Sequence, residues 1–287
     1  VYGVVTKKIL AGIIELSIKN GFSNSIKYYY ERYTIDAMQL FVKSPRRKSV
    51  PEINNDDVKK CKEYIKQNNI FLVIHGSYLI NIASKDDYEY KHKSVLQDIK
   101  VAHQMGAIGA VFHVGKQLKM QKEEAVNNMK EFIKNILVKL DDGEKFILET
   151  GAGCGTEMLC NLQELGDFYN SFTKEEKNKM SICLDTCHIF SAGYDIKTKS
   201  KVKKFVKLVG STIGWANICV IHLNDSKKDC GCGLDRHEIL CKGCIGDGLK
   251  YMVRHFNDRN IPLILETPSK RDDKIEELDM IKKWIKD

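Results

Sequence analysis

The sequence predicts an α/β protein of a single domain, a closed barrel of eight parallel strands each followed by a helix, the (β/α)8 or TIM barrel. Three observations carry this expectation. Eight short apolar, β-branched runs punctuate the 287 residues, and amphipathic helical patterns fill the gaps between them. The ends of successive runs lie 33 to 44 residues apart, room for a strand, a helix and two loops. The runs are almost continuously apolar, as strands covered on both faces must be. An open doubly wound sheet is the competing topology, but no glycine fingerprint for a dinucleotide follows the first run.

In chain order the predicted strands are 2–6, 35–42, 70–75, 109–114, 145–150, 180–186, 217–222 and 261–266. Helices are predicted at 9–32, 54–68, 93–105, 121–140, 156–170, 199–212, 247–258 and 272–286. The helix near 54 carries start signals, with Asn54 or Asn55 as cap and Asp56 and Asp57 in its first turn, where carboxylates favour the helix dipole. No stretch reads as a linker or a low-complexity tract, so residues 1–287 are taken as one domain.

No apolar run approaches the ~18 residues that a membrane span needs. The net charge of +8 fits solubility and is compatible with an anionic partner. Ten dispersed cysteines in a chain of this size imply a reduced, intracellular setting. Cys230, Cys232, Cys241 and Cys244 have spacing that would allow an extra zinc site or a redox pair, but free thiols are the preferred reading. The glycines at 151, 153 and 155 lack the lysine of a phosphate-binding P-loop and read as a flexible passage.

Chemistry gathers at the strand ends. His75, His113, Glu149, Asp185, His222 and Glu266 close six consecutive runs; His188 follows shortly after one of them, and Asp235 and His237 lie in the loop after another. In a parallel barrel these ends share one face, so nine oxygen and nitrogen donors should converge on the C-terminal mouth. Buried carboxylates without partners are costly, and a metal cluster offsets that cost. Zinc takes about three or four protein ligands, so nine donors with one bridging carboxylate suit three ions. Five imidazoles among the nine favour zinc over magnesium.

Several segments resemble the signature segments of the endonuclease IV family of apurinic/apyrimidinic endonucleases. They are CLDTCHIFSAGYD (183–195), LILETP (263–268) and IHLNDSKKDCGCGLDRHEILCKGCIG (221–246). HGSYLIN (75–81), FHVG (112–115), ETGAGCGT (149–156) and QLFVKSPRR (39–47) also line up, so the resemblance spans nearly the whole chain. It implies a TIM barrel holding three zinc ions: the first on His75, His113 and Glu149, the second on Glu149, Asp185, His222 and Glu266, and the third on His188, Asp235 and His237. By the same resemblance Glu149, Asp185 and Glu266 are the catalytic carboxylates. The implied substrate is duplex DNA containing an abasic site, cut on its 5′ side to leave a 3′-hydroxyl and a 5′-deoxyribose phosphate, with clearing of blocked 3′ ends.

The resemblance also places Arg46, Tyr78 and Leu79 in the damaged duplex, where arginine and leucine suit a wedge. Lys43 and Lys227 are further candidates for phosphate contact. A monomer in a DNA-containing compartment is expected, and a targeting peptide could precede Val1. The family commonly has a proline and a small residue or histidine around the fourth strand's ligand, where this chain reads His113-Val114-Gly115-Lys116, which bears on loop shape. The rival reading is a sugar isomerase or epimerase built on Glu149, Asp185, His222 and Glu266 alone; the other five donors speak against it. A non-catalytic DNA-damage binder would show gaps in the donor set, and there are none.

Overall fold

A computed structural model describes residues 11–15, 21–33, 35–268 and 273–286. Eight parallel strands close into a barrel. They are β1 (Ala11–Glu15), β2 (Ala37–Leu40), β3 (Phe71–His75), β4 (Ala110–His113), β5 (Phe146–Glu149), β6 (Met180–Asp185), β7 (Ile218–His222) and, last in the chain, β10 (Leu263–Leu265). Each strand pairs with its neighbours in sequence, and β1 closes the ring against β10 through Ala11↔Leu263. The predicted barrel is therefore present.

The start of the chain differs from expectation. The strand placed at 2–6 lies outside the described residues. The strand that pairs with β2 is β1, inside the stretch read as a helix from 9 to 32. Gly12 explains why a strand fits there: a Cβ on it would lie 1.6 Å from the Ala37 carbonyl oxygen, so only glycine allows the two backbones to approach. Helix α1 (Phe22–Tyr33) begins only after Gly21, whose φ of 89° is left-handed.

Helices α2 (Asn55–Asn68), α3 (Tyr88–Met105), α4 (Lys122–Leu137), α5 (Leu162–Asn170), α6 (Lys174–Asn178), α8 (Lys199–Ser211), α9 (Gly248–Asp258) and α10 (Asp273–Lys286) follow the strands. Asn54 is the cap of α2, its side-chain oxygen accepting from Asp56 N and Asp57 N at 3.0 and 3.1 Å. Helix α6 has no counterpart in the sequence pattern, and neither do two small elements at the barrel mouth. Helix α7 (Thr186–Ser191) starts directly at the end of β6, and a two-residue antiparallel pair, β8 (Asp225–Ser226) with β9 (His237–Glu238), folds the long seventh loop back on itself.

A period of two sets what the barrel contains. Ala37, Val73, Val111, Ile147, Cys183, Val220 and Ile264, one from each of seven strands, pack together as an inner plug separate from the outer core under the helices. Two residues further along the same strands stand Gln39, His75, His113, Glu149, Asp185, His222 and Glu266. The pleat returns these side chains to the barrel axis one layer above the plug. The apolar layer seals them from below, and the mouth opens above.

Candidate metal centre

The structure brings all nine predicted donors together at the mouth. His75 Nε2 lies 3.4 Å and His113 Nδ1 3.6 Å from Glu149 Oε2. His222 Nδ1 faces Glu149 Oε1 at 2.7 Å, Glu266 Oε2 at 3.2 Å and Asp185 Oδ2 at 3.8 Å. His188 Nε2 and His237 Nε2 lie 3.4 and 3.0 Å from opposite oxygens of Asp235, without the geometry of a hydrogen bond. His237 Nε2 is also 3.6 Å from Asp185 Oδ2, so the groups adjoin.

Local structure aims these atoms. Asp185 caps α7 through Oδ1, which accepts from His188 N at 2.9 Å, and so keeps Oδ2 for the centre. His75, His188 and His237 each direct Nδ1 to a backbone carbonyl, those of Gly76, Thr150 and Glu266, at 2.8, 2.7 and 3.3 Å. That leaves Nε2 of all three for the mouth, the arrangement in which a histidine is oriented as a ligand. The β8–β9 pair carries His237 into place. Asp225 anchors its loop by accepting from the backbone of Gly243, Ile245 and Gly246.

The donor set fits metal ions on an observation independent of family. His113 Nε2, Glu149 Oε2, His188 Nε2 and His237 Nε2 are all buried without a hydrogen-bond partner among the described residues. An orphaned buried polar atom costs about 1–3 kcal/mol. Two of the four, on His113 and Glu149, stand in one cluster of donors and two, on His188 and His237, in another, where cations would satisfy them. His75, His113 and Glu149 present ligand atoms within 4.8 Å of one another, as do Asp185, His188 and His237.

The charges reinforce each other. Burial would raise the Glu149 carboxyl, but the neighbouring His113 and His222 imidazoles outweigh it and hold the group well below the carboxylate range. Glu266 is drawn down to about 2, burial being overcome chiefly by His222. His237 is pushed up to about 9, because Asp185, Asp235 and Glu266 outweigh a burial effect of opposite sign.

Above the centre lies a cleft of about 430 Å³ whose lining includes Arg46, Tyr78, Lys227 and Arg236. Arg46 and Lys227 are exposed there, as expected. Tyr78 and Leu79, adjacent in sequence beside the cleft, are 47% and 45% exposed. The Tyr78 ring packs against His75 and His113, and both Ser77 Oγ and Tyr78 N donate to the Pro45 carbonyl, which ties this loop to that of Arg46. Lys43 is a correction. It is buried, with Nζ donating to Asp98 Oδ1 at 2.6 Å and to the Ser94 carbonyl at 2.9 Å, both on α3. It props the Arg46 loop from beneath and does not reach the mouth.

Two residues at the site lie outside the sequence-based expectation. Asn224, fully buried, donates to Asp185 Oδ2 at 2.7 Å and accepts from Glu266 N at 3.0 Å. Gln39, also fully buried, touches both His222 and Glu266. A search confined to charged or imidazole donors passes over amides. Gln39 could have been found by counting two residues beyond Ala37, as for each ligand strand. The ten cysteines are all free, Cys230, Cys232, Cys241 and Cys244 included. A larger cavity, about 700 Å³, lies at the opposite end of the barrel around Phe71, Trp215 and Ile261, away from the donors.

This fold and mouth define a TIM barrel with a candidate metal-ligand site, and residues 30–284 match the family model described as a xylose isomerase-like TIM barrel. The chain is 31% identical to a putative endonuclease 4 of Acanthamoeba polyphaga mimivirus, over 94% of this chain and 92% of that protein. It is 33% identical to a probable endonuclease 4 of Halothermothrix orenii, over 86% and 91% respectively. The crystal structure of endonuclease IV from Thermus thermophilus superposes with a TM-score of 0.84, covering 96% of this chain and 98% of that one at 24% identity, which bears out the barrel. The chain belongs to the endonuclease IV family of apurinic/apyrimidinic endonucleases, and is a hydrolase.

Proposed function

We propose that this chain is a zinc-dependent DNA repair endonuclease. It hydrolyses the phosphodiester 5′ to an abasic site in duplex DNA, leaves a 3′-hydroxyl and a 5′-deoxyribose phosphate, and clears blocked 3′ ends. The observation that carries the reading is the nine-donor mouth with its four orphaned buried atoms. A sugar isomerase of the same barrel class needs only Glu149, Asp185, His222 and Glu266. It leaves the His188–Asp235–His237 group without a purpose. The relatives named endonuclease 4 support the same choice.

In this reading His75, His113, Glu149, Asp185, His188, His222, Asp235, His237 and Glu266 would hold three zinc ions, which would supply activated water at neutral pH and offset the charge that builds on phosphoryl oxygens. The chain's own residues do the rest. Glu149 contributes one oxygen toward His75 and His113 and the other toward His222, so a single carboxylate fixes the spacing of two groups of ligands. The apolar plug beneath keeps water from entering below and sharpens the electrostatics of the site. Arg46, Tyr78 and Leu79, on two loops tied through Pro45, fill the duplex at the lesion. An abasic sugar turns out of the stack cheaply because no base pair is lost. Lys227 neutralises backbone phosphate, which positions the duplex without reading its sequence. All nine donors come from one chain, consistent with action as a monomer.

Arg46→Ala is expected to weaken binding to an abasic duplex by roughly tenfold to a hundredfold, about 1.4–2.8 kcal/mol. The cleavage rate at saturating DNA should change little, because Arg46 is no part of the donor set. Titration by fluorescence anisotropy with single-turnover kinetics separates the two. A variant that binds normally but cleaves slowly would contradict the assignment.

A further inference from the structure

Four of the five mouth histidines leave Nε2 without a side-chain amide partner, and three of them commit Nδ1 to a backbone carbonyl. His222 is reversed. Its Nδ1 faces three carboxylates, and its Nε2 lies 2.8 Å from Gln39 Oε1. At its other end Gln39 Nε2 donates to Glu266 Oε1 at 2.8 Å. Gln39 is fully buried on β2 and belongs to the ring of inward positions that supplies six of the ligands.

Chemistry alone fixes the polarity of this bridge. A carboxylate only accepts, so the amide NH2 must face Glu266, and the amide oxygen is then left for His222. An amide oxygen accepts only from N–H, so His222 must carry its hydrogen on Nε2. The lone pair then stands on Nδ1, among Glu149, Asp185 and Glu266. Glu266 is constrained by the same side chain. Its Oε1 is held by Gln39 at 2.8 Å, whereas Oε2, 3.2 Å from His222 Nδ1, has only a long 3.4 Å contact from Asn224 Nδ2 and is the oxygen better placed to coordinate.

We propose that Gln39 is a positioning residue that builds the second metal position. It selects Nδ1 as the ligand atom of His222 and makes Glu266 a one-oxygen ligand, thereby ordering two ligands from different strands through one neutral side chain. Neutrality matters at this point, because three carboxylates already face one another and a fourth would oppose them. Partners of this kind behind metal ligands change metal affinity by about 10- to 100-fold when removed. The proposal rests on the metal centre proposed above and goes beyond it by predicting unequal loss of the ions.

The test is zinc release from the loaded, full-length chain into excess chromophoric chelator, comparing wild type with Gln39→Met, which keeps the length and volume of the side chain. One of the bound ions should leave about 10- to 100-fold faster in the variant, with the others unchanged. Release unchanged for every ion, or accelerated equally for all, overturns the proposal, the second result marking a merely structural role. Should the variant fail to fold, anomalous diffraction from zinc-loaded wild-type crystals decides. The expected result is an ion on Nδ1 of His222 with Gln39 bridging Nε2 and Glu266; an ion on Nε2, or Gln39 turned away, overturns it. A wild-type chain that takes up no zinc sinks the metal centre itself, a different and recognisable failure.

Discussion

Glu149→Ala is expected to reduce nicking of an abasic duplex by about 10³-fold or more while leaving DNA binding largely intact. Glu149 is fully buried, and its two oxygens serve different sets of histidines, so truncation removes the one group common to both. Electrostatic stabilisation by bound metal is worth several kcal/mol at a phosphoryl transition state, and each 1.36 kcal/mol is a factor of about ten in rate. Elemental analysis should show lowered zinc content in the same variant. The side chains proposed to contact DNA, Arg46, Tyr78, Leu79 and Lys227, stand on other loops, so anisotropy titrations should change little. Wild-type activity in Glu149→Ala would remove the carboxylate from the centre of the scheme.

Stripping the metal is expected to have the second largest effect, on activity and on stability alike, and the stability effect depends on pH. Without metal, the carboxylates and imidazoles must satisfy each other. His237 then has a folded-state pKa of about 9, against about 6.5 for an unfolded histidine. The stabilisation it brings is therefore complete below pH ~6.5 and disappears as pH rises through 9. Glu266, drawn down to about 2, contributes above its unfolded value and loses that contribution only as pH falls toward 2. The stripped chain should thus melt at progressively lower temperature between about pH 6.5 and 9. Zinc binds deprotonated ligands, so the loaded chain gains over the same interval. Each ion adds about 4 kcal/mol when free zinc is roughly 1,000 times its Kd. Calorimetry of both forms should show the gap in Tm widening as pH rises, with nicking lost on stripping and restored by zinc. A gap that narrows, or activity surviving a strong chelator, contradicts this.

The donors are legible because barrel strands convert sequence period into geometry. His75, His113, Glu149, Asp185, His222 and Glu266 each end an apolar run, and an unpaired charge in such a place is costly enough to need a reason. His188, Asp235 and His237 are legible only by lying close after strand ends, since the helix and the two-residue ladder that aim them are too short to leave a periodic signal. The first strand escapes a reading by pattern because its apolar residues run on from those before it, and nothing local shows that Gly12 must admit Ala37. Lys43 misleads for a related reason: in the basic loop KSPRRK a buried lysine and an exposed one look alike until Asp98 is known to lie beneath. Gln39 and Asn224 carry no charge, and only their partners reveal what they do.

The central claim is tested most directly on a duplex oligonucleotide carrying a single tetrahydrofuran abasic analogue, incubated with zinc-loaded protein and no added magnesium. The expected result is one nick, immediately 5′ to the analogue, with a 3′-hydroxyl that a polymerase extends and no cutting of the undamaged duplex. Tight binding to that duplex with no cleavage by fully zinc-loaded protein would contradict it.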